Sequence, residues 1–283
     1  MAVTAMLSVQ TGAAVSTWMF DSTGPVGAAW LRLTLAALVL LFICRPRIRN
    51  LSKASLAYAG GLGVTSAAMT MFYFGAIDRI PLGTASSLEY LGPFAVAVLG
   101  LSAARDVLWP ILAAVGVVAV TQPWLAGFDL AGVCLGIGAG ACLGAYVVLS
   151  QRVGDTLPVL AGLTLAMVTA SIVAAPFGLG DAVRQLDVEV VAVAALATIL
   201  LPLLPYALEM LALRGMTASA LSTLMSFEPA LACLIGFVIL DQGMSALQAL
   251  GVAMVVAAGV GAVTRGRRPY SARQGEGAVV RLS

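Results

Sequence analysis

No histidine occurs anywhere in the 283 residues. That absence removes the usual zinc and haem ligand and the side chain that most often relays protons near neutral pH, so any proton handling falls to carboxylates. Charge is scarce as well: Asp, Glu, Lys and Arg make up 10% of the chain, against roughly 25% in a soluble domain. The basic residues are scattered and do not form a stripe with interleaved aromatics, which argues against a nucleic-acid partner. The four cysteines, Cys44, Cys134, Cys142 and Cys233, show no C-x-x-C or metal-ligand spacing and read as small packing residues within or at the end of apolar runs. No G-x-x-x-x-G-K-[ST] loop is present, so no nucleotide machinery is expected, and neither is a cofactor or a metal. Without histidine or paired aspartates inside the apolar runs, an intramembrane enzyme has no catalytic constellation to use. No basic segment precedes the apolar start, so residues 1–20 read as a first helix and not as a cleaved signal peptide.

What the chain has is apolar surface: 61% of its residues are hydrophobic and its mean hydropathy is +1.03. Bilayer hydrocarbon must be the solvent for most of it, and each spanning helix takes about 20 residues. Pro/Gly and polar punctuation divides the chain into ten spans, near 2–20, 25–44, 54–77, 82–103, 106–122, 131–150, 157–177, 188–212, 217–240 and 246–264. With the amino terminus inside, Arg45, Arg47, Arg49, Lys53, Arg105, Arg152, Arg214, Arg265, Arg267, Arg268, Arg273 and Arg281 are cytoplasmic, and only Arg79 and Arg184 fall outside. Cytoplasmic loops retain Lys and Arg, so both termini are expected in the cytoplasm of a multi-pass protein of the bacterial inner membrane. The tail 265–283 is polar and basic, and no packed structure is expected of it.

The halves resemble each other. At an offset of 136 residues Ala76 matches Ala212, Ser86 matches Ser222, Leu88 matches Leu224, Pro93 matches Pro229 and Gly100 matches Gly236; Leu33-Thr-Leu-Ala36 recurs as Leu163-Thr-Leu-Ala166. Five helices per half is an odd number, so the second copy is inverted in the membrane, an arrangement that builds transporters. The expected organisation is a first repeat over 1–122, a linker over 123–130 and a second repeat over 131–264.

Ionisable residues inside spans are the clearest functional signal, because a charge at the bilayer centre costs about 2.5–3.5 kcal/mol on insertion scales. Arg32, Glu89, Glu209 and Glu228 stand out. Arg32 and Glu89 each lie seven residues into an outside-to-inside helix, a depth that permits an ion pair, either structural or as part of a binding site. Ser86 and Pro93 share a helix face with Glu89, and the Gly92-Pro93 pair frees a backbone carbonyl. Glu228-Pro229 places a carboxylate near the midplane of the ninth span. Pro202, Pro205, Tyr206 and Glu209 share a face of the eighth, where Glu209 suits a structural or gating role. Tyr73, Tyr90, Tyr146, Trp18 and Met225 are further cavity candidates; most such aromatics pack or sit at the interface. The substrate cavity is expected between the third, fourth, eighth and ninth spans.

The stretches Ala28-Ala-Trp-Leu-Arg-Leu33, Ile80-Pro-Leu-Gly83, Leu88-Glu-Tyr-Leu-Gly-Pro93, Leu204-Pro-Tyr-Ala-Leu-Glu-Met210 and Leu224-Met-Ser-Phe-Glu-Pro-Ala-Leu231 resemble the EamA type of the drug/metabolite transporter superfamily, and within it the bacterial threonine/homoserine exporters. The resemblance implies an all-α membrane protein of ten helices in two inverted five-helix repeats around a central cavity, with export of amino acids or related metabolites. It also implies that Arg32, Glu89, Glu209 and Glu228 occupy positions the family marks. The amino terminus departs from the exporter pattern, being shorter and without its basic lead-in. Other expectations compatible with the sequence are export of drugs, nucleotides or sugars, or a passive channel. A monomer is sufficient, with the bilayer and a small-molecule substrate as partners.

Overall fold

The structure is a computed structural model and describes residues 1–46, 51–98, 108–124, 128–184, 186–205, 208 and 223–265. Among these residues every regular element is helical, as a chain in hydrocarbon requires, since a helix satisfies its own backbone hydrogen bonds. The elements are α1 (Ala2–Ser16), α2 (Phe20–Ile43), α3 (Lys53–Ile77), α4 (Leu82–Glu89), α5 (Leu91–Val98), α6 (Leu108–Thr121), α7 (Leu130–Thr156), α8 (Val159–Arg184), α9 (Val188–Thr198), α10 (Glu228–Leu240) and α11 (Ala246–Arg265).

Among the described residues five stretches are long and apolar enough to cross a membrane. One of them, Ala2–Ile43, runs for 42 residues, about 63 Å if straight and twice the hydrocarbon thickness. It does not run straight. A 3-10 turn at Thr17–Met19 ends α1, and Gly24, at φ 67° and ψ 164°, turns the chain before Pro25. Only glycine adopts that conformation without strain, so this stretch supplies the first two expected spans.

Three other expected spans are interrupted or short. The span 82–103 breaks at Tyr90, between α4 and α5. Pro93 is the cause: it has no N–H to offer the Glu89 carbonyl four residues back. The ninth span breaks likewise, with residues 223–225 helical, a turn at Ser226 and Phe227, and α10 starting at Glu228 with Pro229 in its first turn. The eighth leaves α-helical geometry after Thr198 for a π segment, Ile199–Leu203, in which Leu201 is extended. Beyond residue 205 that span has Leu208 alone among the described residues. Tyr206 and Glu209 therefore lie outside them, as do Ala212, Ser222 and Gly100 of the internal matches and the tail after Arg265.

The helices pack through small residues. Helix α2 lies on α8, α3 on α7 and α8, α4 on α7 and α10, α1 on α9 and α10, α2 on α9, and α6 on α11. At the α6–α11 crossing an added methyl on Gly251 would sit 2.7 Å from the Gly116 carbonyl. At the crossing of α7 with the broken α4–α5 segment, Gly92 presses on the Gly140 backbone, and a methyl on Gly140 would sit 2.6 Å from the Leu88 carbonyl. Lipid gives no hydrophobic push between helices, so such close backbone contact supplies the dispersion that holds them together. Thr34 on α2 and Ser171 on α8 add a 2.7 Å hydrogen bond between hydroxyls.

Candidate functional site

A polar core lies inside this apolar body, built where helices are broken. Arg32 in the middle of α2 is buried. Its Nη2 donates to Thr70 Oγ1 on α3 at 2.8 Å, its Nη1 reaches the Leu201 carbonyl of the π segment at 3.4 Å, and its guanidinium carbon stands 5.1 Å from the centre of the Phe74 ring. The exposed carbonyl of an interrupted helix and the ring face both favour a planar cation. The remaining guanidinium nitrogen, Nε, is buried without a partner.

Glu89 closes α4 at the Tyr90 break, and Glu228 opens α10 just after the Ser226-Phe227 turn. Both are buried, Glu228 to 1% exposure, and they lie within electrostatic reach of each other; Glu89 is in reach of Arg32 as well. The direct ion pair expected between Arg32 and Glu89 is absent among the described residues, because the guanidinium is turned to Thr70. Arg32 acts on Glu89 through its field, and so does Glu228, with opposite sign. Tyr73 is in electrostatic reach of both carboxylates, and Ser86 Oγ lies beside it without a bond of good geometry.

Gln10 is a member that the sequence reading missed. Its Nε2 donates to Glu228 Oε2 at 2.7 Å, with the amide itself only 2% exposed, and its Oε1 is buried without a partner. Thr70 was missed for the same reason: hydroxyls and amides are common in small-residue helices and do not stand out as charges do. The signal available was an amide in the middle of an apolar first span, where a polar group must find a partner.

Beside this core is a cavity of ≈ 280 Å³, lined by Val9, Arg32, Leu33, Ala36, Ser66, Met69, Thr70, Leu143, Tyr146, Leu163, Met167, Leu201, Pro202, Pro205 and Met225. Its walls come from α1, α2, α3, α7, α8 and the π segment, with Met225 from the turn before α10. This corrects the expected lining by the third, fourth, eighth and ninth spans: the first, second, sixth and seventh contribute as well, and α4 does not. Of the expected site residues, Arg32, Tyr146 and Met225 line the cavity. Glu89, Glu228, Ser86 and Tyr73 belong to the surrounding core, Tyr90 sits at the break between α4 and α5, and Pro93 and Pro229 set the two helix breaks. Trp18 does not line this cavity. It is 58% exposed and lines a surface crevice with Asp21, Asp187 and Glu189.

The cavity lies in the half of the molecule that carries the α7–α8 connection. The opposite end, where α3 joins α4 and α10 joins α11, is tied together by polar contacts that border a smaller crevice of ≈ 170 Å³. Gln242 Oε1 accepts from the Leu82 amide at 2.9 Å, Gln122 Nε2 donates to Ser245 Oγ at 2.8 Å, and Arg79 pairs with Asp129 at 3.2 Å. Asp129 also caps α7 by accepting from the Gly132 amide at 2.8 Å. That bond first, and then Arg79, hold its carboxyl below the usual carboxylate range.

The chain was compared with known proteins. The EamA-like transporter family matches residues 130–264. Threonine/homoserine exporter RhtA of Salmonella typhimurium, strain SL1344, is 32% identical over 277 residues, covering 95% of this chain and 92% of that protein. Its namesake in Escherichia coli K12 is 32% identical over 269 residues, covering 93% and 90%. With a relative of that identity along nearly its whole length, and with the buried charges and broken helices described above, the chain belongs to the EamA-like transporter family and is a helical membrane transporter, not an enzyme.

Proposed function

We propose that the protein exports amino acids across the bacterial inner membrane as a secondary carrier, by alternating access of the cavity beside Arg32. The observation that carries this reading is the buried trio of Arg32, Glu89 and Glu228 at and behind the cavity wall. Burying an ion costs several kcal/mol even after relaxation, and such charges within a membrane protein mark substrate or ion paths. The unpartnered Nε of Arg32 suits a carboxylate. The excess of carboxylates over cations among the described core residues suits an ammonium group or a proton. An α-amino acid carries both ends, and the relatives that align along the whole chain bear the name of threonine/homoserine exporters.

Alternating access is supported by the way the helices pair. Exchanging α1–α6 with α7–α11 maps the contacts of α1 with α9 and α10 onto those of α7 with α3 and α4. The contacts α2–α8, α4–α10 and α6–α11 map onto themselves. The breaks at Tyr90 and Ser226 are also 136 residues apart. Such a pattern fits two inverted five-helix repeats, over 1–122 and 131–264, related by a two-fold axis in the membrane plane. With both termini cytoplasmic, the cavity faces the cytoplasm and the tied end faces outward, an inward-facing arrangement ready to load. Coupling by a proton would use Glu89 or Glu228.

Counterflow tests the reading. Proteoliposomes of the purified chain, preloaded with unlabelled threonine or homoserine, should accumulate the labelled amino acid transiently and saturably. A channel would equilibrate without exchange acceleration. No counterflow with any amino acid, from protein shown to be folded, would reject amino acids and leave drugs, nucleotides or sugars as cargo.

A further inference from the structure

The cavity has few polar side chains in its lining: Arg32, Ser66, Thr70 and Tyr146. Thr70 accepts from Arg32, and Ser66, one turn earlier on α3, donates its hydroxyl proton to the Leu62 carbonyl at 2.8 Å. Thr70 thus spends its oxygen on the guanidinium and Ser66 its proton on its own helix. The rest of the lining is apolar, and three of its side chains are thioethers from three separate elements: Met69 on α3, Met167 on α8 and Met225 before α10. Leu143 and Leu163 belong to the same lining.

This distribution determines how a substrate side chain is read. A site built to hydrogen-bond a substrate hydroxyl rejects the analogue without one by about 10⁴–10⁵-fold, whereas an apolar pocket separates hydroxyl and methyl isosteres by only about 10²-fold. Methionine is unbranched, with three rotatable bonds and a polarisable sulfur, so a wall of methionines reshapes itself around different guests. An amino acid whose carboxylate meets Arg32 would direct its side chain towards that wall. Tyr146 is the one hydroxyl-bearing side chain of the lining away from Arg32, too little to build a hydroxyl-reading pocket.

We propose that Met69, Met167 and Met225 form a deformable apolar subsite for the substrate side chain, so that the carrier takes aliphatic amino acids without a hydroxyl, valine and norleucine among them, alongside hydroxyl amino acids. The inference rests on the reading of the cavity as an amino-acid site and adds its selectivity: breadth in the side chain, strictness in the α-carboxylate.

The test is competition against labelled threonine in counterflow, with the wild-type protein and unlabelled valine, norleucine and aspartate. Valine and norleucine should half-inhibit within about ten-fold of threonine, because a wall that reshapes around its guest discriminates less than the about 10²-fold that a fixed apolar pocket achieves against a hydroxyl isostere. Aspartate, whose second carboxylate would enter the thioether wall, should fail. Met167→Thr and Met69→Thr should each move the norleucine-to-threonine ratio about ten-fold towards threonine. Intact threonine counterflow that valine and norleucine leave untouched at hundred-fold excess would overturn the subsite while leaving the carrier reading in place. So would a Tyr146→Phe variant that loses threonine but gains valine, because Tyr146 would then be reading the hydroxyl. Absence of counterflow with every amino acid would overturn the carrier reading and the subsite with it. The wild-type panel decides the matter even if the variants fail to fold.

Discussion

Gln10 on α1 and Glu228 at the start of α10 are joined by a 2.7 Å hydrogen bond in which the amide nitrogen donates to the carboxylate. The two residues are 218 positions apart, and both are sealed from solvent. A hydrogen bond to a charged group contributes about 1.5–3 kcal/mol, so this contact fixes α1 against α10 at the point where the helix is broken.

Gln10→Leu leaves Glu228 with fewer donors in an apolar surround and should lower stability by about 1.5–3 kcal/mol, read as a fall in the unfolding midpoint in detergent. Combining it with Glu228→Gln should restore much of that loss without restoring transport. A double variant as unstable as Gln10→Leu alone would show that the bond does not hold α1 to α10.

Arg32→Lys keeps the charge but gives up the planar fork that serves Thr70, the Leu201 carbonyl and the Phe74 ring together. Because lysine offers a point charge where arginine offers a pre-organised plane, the half-saturation concentration in counterflow should rise at least about ten-fold, an effect of roughly 1.4 kcal/mol. Thr70→Val should raise it less. Unchanged saturation in Arg32→Lys would mean that Arg32 is purely structural.

At the crossing of α7 with the α4–α5 break there is no room for a side chain on Gly140, which faces the Leu88 and Glu89 carbonyls. Gly140→Val should cost about 1–3 kcal/mol through overpacking and separate Glu89 from its place near Glu228. Thermal stability and counterflow should fall together. Wild-type behaviour in both would show that the helices part easily there.

Asp129 gives a pH dependence away from the bilayer. Its folded carboxyl is held below the usual range by the Gly132 amide and Arg79, so its contribution is present above the unfolded carboxylate value and is lost as pH falls through the lower, folded value. Hydrogen exchange at the Gly132 amide should therefore stay protected at neutral pH and gain protection loss only in acid, below pH ~4. Asp129→Ala should show the unprotected rate at every pH.

Much of this architecture was legible in the residues because hydrocarbon leaves few choices. Apolar runs bounded by Arg45-Pro46, Asp78-Arg79 or Asp241 had to be helices, and Arg32, Glu89 and Glu228 had to be sheltered; the structure buries all three. What could not be read was direction. Equal depth of Arg32 and Glu89 suggested a direct pair, but helix rotation points the guanidinium at Thr70. Gln10 passed unnoticed since its role depends on a partner in the other half of the chain. The cavity lining was misjudged because glycines at 92, 140 and 144 pull α7 against α4 and α5, closing a space that the spacing of polar residues suggested was open.

Alternating access is tested most directly by labelling both ends in one background in which the four native cysteines are replaced. Met167→Cys reports the cavity and Thr84→Cys the tied end. Saturating amino acid, in a carrier that switches, should change their maleimide reactivity in opposite directions, with Met167→Cys protected as Thr84→Cys becomes exposed. Reactivity that moves in the same direction at both positions, or at neither while counterflow proceeds, would contradict the account.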